Sequence, residues 1–196
     1  EALKEAEKYI EEEEGPSRRL IGRMDTFITL VAVVMSVVHL YAAIGVIMTH
    51  VLRGIHVMFV LFLSFLVFPS FKRFKNRIIW YDYILALLGI AVIVYMLVDF
   101  DQFIYRSVVP NFWDKFFGII LILLVLEATR RTTGLIMPGV VLAFLVYAFV
   151  GPMLPSPWTH RGYDMDRIVG HMYMTLEGIF GVPIDVSSTF IILFTI

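Results

Sequence analysis

The chain has 196 residues, 59% of them hydrophobic and 17% charged, with a mean hydropathy of +0.83; these values lie outside the range of water-soluble domains. A formal net charge of -1 argues against nucleic acid as a partner, because a phosphate-binding face needs a clustered surplus of Lys and Arg. Cysteine is absent, which excludes disulfides and thiolate metal sites.

Residues Glu1 to Glu14 are strong helix formers with a thin apolar stripe, broken by Gly15 and Pro16, so residues 1–16 are expected to form a solvated helix. Its acidic polar face suits water or a protein surface better than an anionic leaflet. The first predicted span runs from Phe27 to Thr49, a stretch without Asp, Glu, Lys or Arg and long enough for roughly 30 Å of hydrocarbon. The second, Ile55 to Phe68, is shorter and ends at Pro69. The basic cluster Lys72, Arg73, Lys75 and Arg77 precedes the third, Ile78 to Val98, which opens on the interfacial aromatics Trp80, Tyr81 and Tyr83. The fourth, Phe116 to Ala128, is brief and closes on Glu127, Arg130 and Arg131; the fifth, Leu135 to Leu154, contains Pro138 and Gly139.

Lys and Arg in the connections set the expected orientation. Arg18, Arg19 and Arg23 precede the first span, the Lys72 to Arg77 cluster follows the second, and Arg130 and Arg131 follow the fourth. The alternate connections carry Arg53, then Arg106 and Lys115. The N-terminus, the 72–77 loop and the 130–133 turn are therefore expected in the cytoplasm, with 50–54, 99–115 and 151–170 outside. No secretory signal is expected, since the first apolar segment is too long for a signal h-region.

After a Pro-rich turn, Asp164 can cap a helix reaching Glu177 that carries Ile168, Val169, Met172, Tyr173 and Leu176 on one face. That helix is predicted to lie along the outer membrane interface. Gly178, Gly181 and Pro183 then interrupt the chain, and Asp185 to Ser188 restart a helix running into a sixth apolar segment that is too short to span. The sequence is accordingly expected to be part of something longer. The predicted fold class is all-α: a polytopic transmembrane protein of about five spans, an interfacial helix and a truncated sixth apolar segment.

Few residues invite chemistry. His39 lies inside the first span, where an ionisable group raises proton relay or metal binding, although a neutral His bonded to a backbone carbonyl or hydroxyl is the preferred reading. His50 and His56 are not at the i, i+4 spacing that brings two imidazoles to one face, and no metal site or cofactor is expected. Glu127 can pair with Arg130 or Arg131 along its helix. Asp82 and Asp99 read as ordinary interfacial carboxylates. Gly181 to Thr189 carries more information, because a Gly/Pro break followed by hydroxyl residues offers backbone amides and oxygens at a helix start, as transporters use in ion and anion sites; a plain helix cap is the alternative. No nucleophile beside a base, H-E-x-x-H or phosphate loop occurs, so enzymatic activity is not expected.

The segments LEATRRTTGLIMPGVVLAFLVYAF, from Leu126 to Phe149, and HRGYDMDRIVGHMYMTLEGIFGVPIDVSSTFIILFTI, from His160, resemble the fused permease of TAXI-type TRAP transporters, the tripartite ATP-independent periplasmic systems. The resemblance covers most of the chain after Thr26, with the early spans matching mainly in hydropathy. It implies a four-span small-subunit scaffold over residues 17–133 and the start of a large transport subunit over 134–196. It also implies sodium-coupled uptake of organic acid anions such as dicarboxylates, with an extracytoplasmic solute-binding protein as partner. The setting would be a bacterial or archaeal cytoplasmic membrane. Gly181, Pro183, Ser187, Ser188 and Thr189 then match the opening of the first transport-domain hairpin and become candidate ion or substrate residues. Arg106, Trp158, His160 and Arg161 are candidate contacts for the binding protein. The competing reading is a small accessory membrane subunit of an unrelated complex, which moves no solute.

Overall fold

A computed structural model describes residues 17–195 except 19, 72, 73, 75 and 76. The predicted helix of residues 1–16 and three members of the basic cluster, Lys72, Arg73 and Lys75, lie outside the described residues. Within them the chain is all-helical, with no strand.

Long helices stand at all five predicted places. They are α1 (Arg23–Ile44), α2 (Thr49–Val67), α3 (Trp80–Val98), α5 (Phe112–Thr133) and α6 (Ile136–Val150), with a short α4 (Phe100–Tyr105) before α5. Four stretches are long and apolar enough to cross a membrane: α1, α2, α3, and α6 with its last turn to Met153. Residues Phe100–Val108 and Phe112–Thr133 form a pair bent by 90°, which makes a fifth if taken as one broken span. These apolar helices mark a membrane protein.

Helix boundaries differ from expectation where polar residues enter the helices. His50 and Arg53, expected in a loop, lie in the first turns of α2, and the connection shrinks to Gly45–Met48. The fourth span was expected to be brief, yet α5 has 22 residues. Its start is a capping box in which the Asn111 side chain accepts from the Asp114 amide at 2.8 Å while Asp114 Oδ2 accepts from the Asn111 amide at 2.9 Å. Pro138 is tolerated because it sits in the first turn of α6, where its missing N–H has no helical partner.

The core forms where α2, α3 and α5 meet. α3 buries Asp82, Ala86, Gly89, Ile93 and Met96, a 4-3-4-3 spacing that keeps one seam facing its neighbours. Small residues on that seam allow close approach, as packing in lipid favours. α7 (Met165–Met174), capped by Asp164 at 2.8 Å from the Arg167 amide, buries Ile168, Val169, Tyr173 and Met174. Its Tyr173 hydroxyl donates to the Val92 carbonyl at 2.6 Å, so the predicted interfacial helix is docked on protein along one face. It stops at Met174, before Glu177, because the Ile179 amide turns back to the Met172 carbonyl at 2.9 Å. A final rod, Val182–Thr195, comprises α8 (Val182–Val186), a π turn (Ser187–Ile191) and α9 (Ile192–Thr195). By contrast, α1 buries only His39 and α6 only Pro138, leaving both with broad apolar faces.

Candidate functional site

The interruption before α8 is a tight turn. A Cβ at Gly181 would stand 2.9 Å from the Gly178 carbonyl oxygen, so glycine permits the approach. The rod begins at Val182, three residues before the expected restart at Asp185, because Pro183 fits the first helical turn. The Ile184 and Asp185 amides both donate to the Gly181 carbonyl at 3.1 Å; the second is the first regular helical bond and the first satisfies one orphan donor of the helix start locally.

Two residues of α2 fasten this start to the bundle. Arg53 Nη1 donates to the Phe180 carbonyl at 2.7 Å, and its Nη2 meets Asp185 Oδ1 at 2.7 Å. One turn on, the His56 ring lies 3.0 Å from both Ser187 Oγ and His39 Nε2 of α1. His39 Nδ1 stands 2.7 Å from the Met35 carbonyl, which only accepts, so that nitrogen carries the hydrogen. In an uncharged ring His39 Nε2 then accepts from His56 Nδ1, and His56 Nε2 accepts from the Ser187 hydroxyl. With both rings uncharged, this direction makes each an Nδ1–H tautomer, in a polar chain that ties α1, α2 and the rod together. His39 and His56 are 1% and 3% exposed, so an unpaired ring would be costly.

The remaining hydroxyls of the predicted stretch are also engaged: Ser188 Oγ and Thr189 Oγ1 donate to the Asp185 carbonyl at 3.2 and 2.6 Å. They line the start of a π turn, a local widening that often marks functional sites. Pro183 is exposed on the outer surface of the turn. The Gly181, Ile184 and Asp185 amides and the three hydroxyls of the stretch are therefore engaged in this conformation.

At the opposite end of the bundle, Asp82 corrects the expectation of an ordinary interfacial carboxylate. It is fully buried and accepts from Arg18, from Arg131 Nη1 at 2.8 Å, from Ser70 Oγ at 3.2 Å and from the Ile79 amide at 3.2 Å. Arg18 also donates to the Phe65 and Leu66 carbonyls at 3.1 and 2.8 Å, and Arg131 to the Phe68 carbonyl at 3.2 Å. The two guanidiniums thus satisfy the last carbonyls of α2, where a cation also complements the helix dipole. Glu127 pairs with both predicted partners, Arg130 at 2.7 Å and Arg131 at 2.8 Å.

The candidate partner contacts lie apart from the rod. Arg106 is turned onto Asp114 at 3.0 Å and Asp99 at 3.1 Å. His160 meets the Tyr147 ring edge-on and lies 3.0 Å from the Tyr147 carbonyl, while Trp158 and Arg161 are exposed. Sequence reasoning missed the pairings of Arg53 with Asp185 and of His56 with His39 and Ser187. One signal was available: ionisable residues inside spans rarely stand alone, and Arg53 and Asp185 are opposite charges at two span ends. Comparison with family models, curated proteins and solved structures returns no match to this chain.

Proposed function

We propose that the chain is the N-terminal membrane portion of a TRAP-type secondary transporter of the TAXI kind, taking up an organic acid anion with sodium. In this reading it crosses a bacterial or archaeal cytoplasmic membrane five times, at α1, α2, α3, α5 and α6, with its N-terminus in the cytoplasm. Residues 17–133 are the scaffold, and residues 134–196 open the transport subunit. The outer loops, with Arg106, Trp158, His160 and Arg161, face an extracytoplasmic binding protein.

The observation that carries the reading is the interrupted helix at Gly178–Ile191, with its π turn held by Arg53 and His56 against scaffold helices. Transporters assemble midplane sites from two such broken elements, and one element alone leaves a charged solute facing lipid at a cost of several kcal/mol. The chain alone should therefore move nothing. Joined to a continuation beyond Ile196 in liposomes, with an inward sodium gradient and a cognate binding protein, it should support uptake. Uptake by the chain alone, or uptake indifferent to both sodium and the binding protein, contradicts the proposal. A chain that stably joins another complex without any continuation supports the accessory-subunit reading instead.

A further inference from the structure

A cavity of about 550 Å³ opens between α6 and α7, within the range of ligand sites. One wall is a single face of α6: Val141, Phe144, Leu145 and Ala148 recur at i, i+3, i+4 and i+7. The other wall presents Arg167 and His171, one turn apart on α7, beside Ile168 and Met172. The Tyr163 amide donates to the Ala148 carbonyl at 2.9 Å, and the Arg167 guanidinium lies 5.7 Å from the Tyr163 ring centroid. This contact fixes the depth of the Arg167 guanidinium. Ala148 stands near the end of α6 at Val150, whereas Val141 lies about 10 Å further in at 1.5 Å per residue.

The cleft therefore has a cationic mouth at the end of an apolar helix and an apolar floor leading inward. No carboxylate lines it, and among the described residues none lies within ion-pairing distance of Arg167. Two carboxylates border the lining: Asp164 accepts from the Arg167 backbone amide at 2.8 Å without pairing with its guanidinium, and Glu177, largely exposed, lies 3.7 Å from His171 Nδ1. A soluble anion would leave the α6 face bare, and a purely apolar helix would cover Arg167 without supplying a counter-charge. A molecule with a phosphate at one end and an alkyl chain at the other satisfies both walls.

We propose that this cleft is a phospholipid-binding site, with the phosphate on Arg167 and His171 and an acyl chain along the Val141–Ala148 face of α6. The inference requires only that α6 lies in a bilayer, and it stands or falls separately from the transport reading. The test is native mass spectrometry of the detergent-purified chain titrated with dioleoyl phosphatidylglycerol. Arg167→Gln should weaken the tightest-bound lipid about fivefold, the worth of one basic residue at a lipid surface, and Arg167→Glu should weaken it more. Val141→Trp, at an exposed position, should also reduce lipid binding by filling the floor. Dioleoylglycerol, which lacks phosphate, should bind at least fivefold more weakly, and millimolar inorganic phosphate should not displace the lipid. Unchanged binding in the Arg167 variants, equal binding of dioleoylglycerol, displacement by phosphate, or a dimer that depends on Val141 would each overturn the proposal. Far-ultraviolet circular dichroism confirms that the variants keep their helices.

Discussion

Asp82, fully buried, answers two buried guanidiniums, a serine hydroxyl and a backbone amide. Asp82→Ala should therefore destabilise the protein by about 3–5 kcal/mol, the usual result of stranding buried charge; Asp82→Asn, which keeps the acceptor oxygen, should lose less. Thermal unfolding in one detergent ranks them, and equal losses would show that the carboxylate charge is unimportant. The His39–His56–Ser187 chain makes a second prediction at this scale. Nitrogen-15 NMR of the imidazoles should report Nδ1–H tautomers for both histidines, and Ser187→Ala should cost about 1–3 kcal/mol by leaving His56 Nε2 without a donor. A His56 spectrum in the Nε2–H form would refute the assigned direction of the chain. The sequence offered each of these residues singly. Helical spacing relates residues on one helix, and it is silent about His39, His56 and Ser187, which meet only after three helices pack.

Elements were legible where hydropathy alone decides them and less so where charges enter. Apolar runs located all five long helices, but α5 was cut short because Asp114, Lys115, Glu127 and Arg130 look like loop residues until their partners are known. Asp114 is a cap and an acceptor for Arg106, Lys115 pairs with Asp166 of α7 at 3.0 Å, and Glu127 and Arg130 bind each other. The same pairing that makes those charges tolerable pulls α7 onto α5. The docking of α7 depends on Gly170, where an added Cβ would stand 2.0 Å from the Ser107 carbonyl oxygen, a backbone atom that cannot rotate away. Gly170→Ala should cost about 1–3 kcal/mol, as overpacking does, and should accelerate amide hydrogen exchange along Met165–Met174. Gly139→Ala, with nothing within 4 Å of the added atom, should be neutral or stabilising by up to about 1 kcal/mol. If the two variants exchange alike across α7, the close contact does not hold that helix.

At the scale of the whole molecule, polar groups divide between the two ends of the bundle, and the division bears on which end faces the cytoplasm. One end holds Arg18, Arg130 and Arg131 around Asp82 and Glu127, with Arg77 exposed nearby in sequence. At the other end Arg53 is matched by Asp185, Arg106 by Asp99 and Asp114, and Lys115 by Asp166, while Arg161 and Arg167 are exposed. Orientation follows Lys and Arg in short loops rather than net charge, and by that rule the first end is expected on the cytoplasmic side. Four basic residues fall between positions 72 and 77, and one between 103 and 111. The native chain has no cysteine, so Asn76→Cys and Gln102→Cys each give a single probe, the latter at an exposed side chain of α4. An impermeant maleimide applied to intact cells should label position 102 and leave position 76 unlabelled until the membrane is permeabilised. Labelling at 76 but not at 102 would invert the protein, and with it the side on which Arg106, Trp158, His160 and Arg161 meet any partner. Labelling at both would mean that an odd number of crossings does not separate them, so α3 would fail to span.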